Sequence, residues 1–301
     1  MQLTFQPLSL RNQSEYRQRL LQCPRISSDY SFVNLWSWRD IYGLEWAWDD
    51  RLVWIRQDRP ETAYWAPVGP WDRIDWARSF SSLPAHAHRF VRVPEELCRI
   101  WEGTHGLQPE LTPDEDHWDY IYSVQELVQL SGNRFHKKKN LLKQFERKHD
   151  YRYTALGPEM IDKALTLQTE WCVWRDCEDS TTLESENQAI LNTFYDWNKL
   201  EGVMGGGLLI DGDMIGFTVG EPLDEETLVI HFEKGCPHYK GVYQAINQKF
   251  LAEQGQGFTY VNREQDLGDS GLRKAKRSYN PIGFLKKYSG KVMLLPDRKR
   301  S

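Results

Sequence analysis

The clearest periodicity lies in the C-terminal half of the chain. Residues 204–210, 214–220 and 227–233 are apolar or glycine-rich runs of strand length, and Asp211–Gly212 supplies a hairpin turn between the first two. Residues 221–226 form a polar second connection, so the three runs predict a three-strand meander. Residues 159–174 and 183–200 predict two helices before it. After it, the loop 235–241 (GCPHYKG) opens a predicted helix over 242–253, followed by a strand within 258–266.

A similar rhythm runs through the N-terminal half. Residues 2–6 predict a strand, 12–22 and 31–42 two helices, and 44–48, 52–56 and 62–66 a meander turning at Asp49–Asp50. Residues 71–82 then predict a helix, 89–93 a strand, 95–103 a helix and 119–123 a strand. The repeated order predicts two copies of one α/β fold with mixed sheets, each of about 150 residues. The expected division is 1–150, including a linking helix over 134–148, and 151–301, with the regions 1–123 and 151–292 superposable. Strand, two helices, meander, glycine-opened helix and strand is also the element order of the acetyltransferase-like (GNAT) fold. Its usual acyl-CoA signature is Arg or Gln, two residues, Gly, one residue, then Gly or Ala. His238–Tyr243 keeps only the first glycine, as Gly241.

Charge sharpens this picture locally. The 301 residues carry a net charge of −5, which argues against a generally nucleic-acid-coating surface. Residues 134–148 (RFHKKKNLLKQFERK) nevertheless hold seven Lys/Arg against one acidic residue. Lys139, Lys143 and Arg147 align along one helical side, where they can present cations to a polyanion. Phe135, Leu142 and Phe145 form a narrow apolar stripe on the same helix. A second cationic helix, 270–278, carries Arg273, Lys274, Lys276 and Arg277 and ends before Pro281.

Composition narrows the remaining options. No run approaches the roughly 18 apolar residues needed to span a bilayer, and residues 1–10 lack a signal pattern, so a cytoplasmic location is expected. Cys23, Cys98, Cys172, Cys177 and Cys236 form no CxxC pair, which predicts reduced structural thiols. Eight of thirteen tryptophans fall within the first 76 residues, where a core-filling role is expected. No metal-ligand motif is present, and no catalytic metal is expected.

The candidate chemistry gathers around the loop 235–241. Gly241 stands where unpaired N–H groups and the helix dipole can hold an anion, with Lys240 beside it. His231 and Glu233 share one face of the preceding strand and are candidate bases. Asn262 and Glu264 alternate with Arg263 on the next strand, where Arg263 can grip an anion. Asn247 and Arg273 complete the donor- and substrate-binding candidates. Gly205–Gly207 precedes a strand, so a bulge or close backbone approach is expected there.

Five segments, namely 31–42 (SFVNLWSWRDIY), 119–122 with 132–145 (DYIY…GNRFHKKKNLLKQF), 231–234 (HFEK), 241–247 (GVYQAIN) and 261–279 (VNREQDLGDSGLRKAKRSY), carry a family resemblance. The sequence resembles a bacterial family sharing the catalytic C-terminal domain of phosphatidylglycerol lysyltransferase. The resemblance implies two tandem GNAT-like domains and kinship with aminoacyl-tRNA-dependent transferases, including the Fem peptidyltransferases. It also implies that Tyr279 protonates the leaving group, as tyrosines after the fourth helix do in relatives of this fold. Lysyltransferases carry a multi-span membrane portion and this sequence contains none, so an acceptor other than phosphatidylglycerol is expected. The expected function is transfer of an aminoacyl group from aminoacyl-tRNA to an amine or hydroxyl acceptor. An acyl-CoA-dependent N-acyltransferase and a non-catalytic binding protein are the alternatives.

Overall fold

A computed structural model describes residues 3–84 and 87–296. In the first half, β1 (Gln6–Pro7), α1 (Gln13–Leu20), α2 (Phe32–Tyr42), β2 (Glu45–Trp48), β3 (Val53–Gln57) and β4 (Ala63–Trp65) follow in order. They lead to α3 (Trp76–Phe80), β5 (Ala87–Pro94), α4 (Glu95–Glu102) and β6 (Leu107–Pro113). The start of α2 is set locally: the Ser31 hydroxyl accepts the Asn34 N–H, while Gly43 at φ 57° ends the helix. Residue 2, included in the first expected strand, lies outside the described residues, and that strand begins at Gln6. The helix expected over 71–82 is broken. Ile74 and Asp75 are extended, and the Asp75 carboxylate accepts the Arg78 N–H to start α3 afresh.

The second half contains β7 (Asp119–Ser123), α5 (Val124–Gln129), α6 (His136–Lys148), β8 (Arg152–Ala155), α7 (Ile161–Arg175) and α8 (Thr181–Tyr195). The meander β9 (Met204–Ile210), β10 (Asp213–Pro222) and β11 (Thr227–Gly235) leads into α9 (Val242–Gln254) and β12 (Tyr260–Asn262). Then come α10 (Ser270–Arg277), β13 (Gly283–Leu285) and β14 (Lys287–Leu294). The glycine run of β9 permits a close approach, because a Cβ at Gly206 would lie 2.3 Å from the Tyr153 hydroxyl.

Both sheets have seven strands, ordered β1-β2-β3-β4-β5-β14-β6 and β8-β9-β10-β11-β12-β7-β13. Read side by side, each is an antiparallel meander, one parallel neighbour (β4 with β5, β11 with β12) and two closing strands. The penultimate strand is exchanged. β7, which follows the first half, completes the second sheet, and β14, at the far end, completes the first. The chain accordingly divides into one unit of residues up to Asp119 plus those from Leu285 onward, and another of Tyr120–Phe284. This differs from the expected 1–150 and 151–301 division. The cause is sheet pairing, together with α6, which packs on α9 as part of the second unit.

The first unit's core is aromatic, with Trp46, Trp54, Trp65, Trp71, Trp76 and Trp101 all buried. Trp65 Nε1 donates to Gln57 Oε1 at 2.8 Å and Trp71 Nε1 to the Pro67 carbonyl at 2.7 Å, which meets the polar demand of burial. The same unit buries a cluster of charges. Lys287 of β14 pairs with Asp119 at 2.6 Å and also with Asp29, and Arg92 Nε lies 3.1 Å from Asp29. Burial alone would raise the Asp29 carboxyl, but Lys287 and Arg92 hold it below the ordinary carboxylate value.

Cys172 and Cys177 form a disulfide with a Cα separation of 5.0 Å, contrary to the expectation of reduced thiols. Asp176 ends α7 in the left-handed region at φ 49°, which turns the chain back on its last helical turn. Among the described residues, no helix is long and apolar enough to cross a membrane.

Candidate active site in the second unit

Alternation along β11 brings His231 and Glu233 to one face. Three neighbouring segments converge on Glu233. Its Oε1 accepts from Arg263 Nη2 at 2.9 Å, and its Oε2 accepts from Asn247 Nδ2 of α9 at 2.9 Å and from Thr218 Oγ1 of β10 at 3.5 Å. The Glu233 and Arg263 side chains are only 10% and 12% exposed, so the pair is held with little solvent competition. Arg263 Nη1 is buried and completes no hydrogen bond among the described residues.

Tyr279, which follows α10, lies beneath this pair. The Arg263 guanidinium is 4.9 Å from its ring centroid, and the Lys138 ammonium of α6 is 4.0 Å from the same centroid. Gln244 Nε2 of α9 donates to the Tyr279 hydroxyl at 3.1 Å. Burial pushes the Tyr279 phenol up to about 12. Half-burial, reinforced by the like charge of Arg263 and partly offset by Glu233, brings the Lys138 ammonium down to about 8. The assembly combines a fixed carboxylate–guanidinium pair with a buried phenol and a half-exposed amine.

His231 sits in a separate cluster. Its Nδ1 is 2.7 Å from Glu264 Oε1 and its Nε2 is 3.1 Å from Glu221 Oε1. Burial opposes the imidazolium, but hydrogen bonds to both carboxylates outweigh it and hold the ring up to about 9. With both nitrogens engaged and the side chain 1% exposed, His231 acts as a structural cation, not as the base anticipated from its strand position. Asn262 Oδ1 accepts the Glu264 N–H at 2.8 Å and supports Glu264 at φ 56°, so both residues shape this cluster. Arg273 is likewise engaged within the protein. Its Nε and Nη2 each lie 2.8 Å from Asp266, to which the Tyr120 hydroxyl also donates at 2.5 Å.

The Gly241 turn is built differently from an open anion site. Gly241 adopts φ 98°, and a Cβ there would meet the Leu141 carbonyl oxygen of α6 at 2.5 Å and Phe145 Cβ at 3.0 Å. The side to which Gly241 points is therefore filled by α6. Lys240 is exposed on the turn and joins none of the Glu233 hydrogen bonds described above. Of the three aligned cations on α6, Lys143 and Arg147 are exposed and Lys139 is partly so. Cys236 is buried, and that burial raises its thiol, which disfavours a nucleophilic thiolate.

Lys138, Gln244 and Thr218 join this candidate site, and the sequence alone does not single them out. A signal for Lys138 exists. Phe135, just before α6, and Leu142 and Phe145 within it are buried, and Lys138, three residues after Phe135, fills the gap in that stripe. A lysine on a buried stripe is conspicuous once the helix is known to be covered. Gln244 and Thr218 carry no comparable local signal.

A profile of the family described as "Phosphatidylglycerol lysyltransferase, C-terminal" matches residues 22–290. A crystal structure of a conserved Bacteroides thetaiotaomicron protein of unknown function is similar at 30% identity, covering 97% of this chain and 99% of that one with a TM-score of 0.83. The C-terminal domain of a putative lysylphosphatidylglycerol synthetase from Agrobacterium fabrum shares the fold at 11% identity, with 95% and 92% coverage and a TM-score of 0.63. An uncharacterized protein of Mycoplasmoides gallisepticum is 25% identical over 186 residues, 60% of this chain, and the match spans 58% of that protein's length. Together with the two meander-based sheets, the similarity establishes a mixed α/β fold shared with the lysylphosphatidylglycerol synthetase C-terminal domain. Family and fold support a transferase of the acyl or aminoacyl type. The chain belongs to the family of phosphatidylglycerol lysyltransferase C-terminal domains.

Proposed function

We propose that the second unit transfers an aminoacyl or related acyl group from aminoacyl-tRNA to an amine or hydroxyl acceptor. The observation that carries this reading is the partly buried Glu233–Arg263 pair, whose guanidinium lies over the ring of Tyr279. Attack on an ester carbonyl builds negative charge on its oxygen, and fixed donors at that point lower the barrier. Arg263, anchored through Nη2 by Glu233, supplies a fixed positive charge for such an oxygen. The leaving ribose oxygen needs a proton. Because Gln244 donates to the Tyr279 hydroxyl, that hydroxyl's own hydrogen is left to point at the departing group. In this role Glu233 positions Arg263 and is not the base.

The alternative, an acyl-CoA donor, draws less support from the same fold. A pyrophosphate bound at the start of α9 needs an open turn, whereas the Gly241 turn is packed against Leu141 and Phe145. The exposed Lys143 and Arg147 suit a longer polyanion better. Equilibrium binding distinguishes the readings. Charged tRNA is expected to bind the protein and to be displaced by excess uncharged tRNA but not by acetyl-CoA. Tight binding of acetyl-CoA with indifference to tRNA would overturn the proposal in favour of the CoA-dependent enzyme.

A further inference from the structure

Within the basic run of α6, Lys138 is the cation that enters the stripe facing the second unit's interior. Lys137 and His136 are exposed and Lys139, like Lys138, is partly buried, but it is Lys138 whose Nζ lies against the face of Tyr279. Glu233, the carboxylate that bears on it, is already bound by Arg263 and Asn247. The groups facing Lys138 are therefore the Tyr279 ring, the Arg263 guanidinium and the occupied Glu233. Partial burial, reinforced by the like charge of Arg263 and only partly offset by the already bound Glu233, favours a neutral amine. Transfer to an amine or hydroxyl requires removal of a proton from the attacking atom, and neither carboxylate nor imidazole of this region is free to take it. Glu233 has both oxygens engaged and His231 is sealed between two carboxylates.

We propose that Lys138 is the proton acceptor of the transfer step, with Tyr279 as the donor at the leaving end. This assignment rests on the transfer reading given above. As the bond from the acceptor nitrogen or oxygen to the acyl carbon forms, the free amine of Lys138 takes the proton from the attacking atom. As the ester C–O bond breaks, Tyr279 gives its phenolic proton to the ribose oxygen. The Lys138 Nζ lies over the ring face and not at the hydroxyl, so its ammonium then restores the Tyr279 proton through water; one proton passes from nucleophile to leaving oxygen and the protein is unchanged. The last transfer runs downhill, from an ammonium near 8 to a phenolate whose acid lies near 12. An acid and a base driven apart by their surroundings is the pattern expected of such a couple.

Two measurements on the full-length protein test the assignment. First, lysines are labelled with a trace of an N-acetoxysuccinimide reagent across a pH series and resolved by peptide mass spectrometry. Lys138 is expected to label with a midpoint near 8, and Arg263→Gln is expected to move that midpoint upward by removing the like charge. Second, Lys138→Met and Lys138→Arg are compared with wild type in transfer from aminoacyl-tRNA. Both are expected to lose about 10²–10⁴-fold in kcat/KM and the rise in rate with pH that Lys138 produces, with tRNA affinity retained. Thermal melting identifies any variant that fails to fold, and Lys138→Arg, which keeps charge and length, is the safer of the two. A Lys138 midpoint at the ordinary lysine value, or full transfer by either folded variant, overturns the assignment. A wild-type protein that transfers nothing while Lys138 still labels near 8 overturns the transfer reading, and the proton-acceptor role falls with it.

Discussion

Arg263 Nη2 donates to Glu233 Oε1 at 2.9 Å, joining the segment after β12 to the face of β11 and fixing a guanidinium over the ring of Tyr279. Three consequences meet in that hydrogen bond. The carboxylate is saturated, the arginine is oriented, and the phenol is covered. Glu233 therefore acts through Arg263, and its removal should misplace a charge without taking one from the reacting atoms.

For that reason Glu233→Gln is expected to slow transfer by about 10²-fold, the scale of a misplaced catalytic group, while leaving donor affinity nearly unchanged. Arg263→Gln should cost at least as much, and the double variant little more than the worse single one, because the two residues act as a unit. A double-mutant cycle on kcat/KM measures this. Strictly additive effects would separate the pair into independent roles.

The basic face of α6 makes a different prediction. Replacing Lys139, Lys143 and Arg147 with Gln should weaken tRNA binding and flatten its salt dependence. The logarithmic slope should fall by about 0.7 for each single-strand phosphate that is no longer neutralised. Nitrocellulose binding at several salt concentrations reads both quantities. Unchanged affinity and slope would leave those residues a solvated surface.

The legibility of the chain follows how local each feature is. The meander of β9, β10 and β11 and the glycine at the start of α9 are readable, because turn residues and strand runs adjoin in sequence. Asp119 and Lys287 are far apart in sequence, and nothing in either neighbourhood signals that β7 and β14 exchange sheets. β6 escapes a sequence reading because its LQPELTP run carries two prolines and little apolar alternation. The shared strand face of His231 and Glu233 follows from alternation, but their partners Glu221, Glu264, Arg263 and Asn247 come from other elements. Those partners separate a sealed imidazolium from a group beside Tyr279, and only tertiary packing supplies them.

The exchanged strand β14 is anchored in the first unit by Lys287 between Asp29 and Asp119. Lys287→Met removes the cation and leaves two buried carboxylates facing each other, a change of about 3–5 kcal/mol in stability. Urea unfolding followed by tryptophan fluorescence reports chiefly on this tryptophan-rich unit. A decrease below about 1 kcal/mol would show the cluster to be hydrated and weakly coupled.

His231 gives the fold a pH dependence of definite sign. Its imidazolium is held up to about 9 against an ordinary value of 6.5. The stability it contributes is fully present below the ordinary value and is lost as pH rises through about 9. Lys138, lowered by burial and Arg263, runs in the opposite direction, so the informative quantity is the difference between wild type and His231→Gln. That difference should shrink steadily from about pH 6 to about pH 10 in urea titrations. A pH-independent difference would contradict the charged, carboxylate-paired state of His231.

The most direct measurement is single-turnover transfer from tRNA charged with a labelled amino acid, supplied with a pool of small amine and hydroxyl acceptors. The account predicts that label leaves the tRNA and appears in a new amide or ester only when the folded protein is present. Glu233→Gln should give the same product about 10²-fold more slowly, and labelled acetyl-CoA should yield none. Label that stays on the tRNA, with acetyl-CoA acylating an acceptor instead, would contradict the account at its centre.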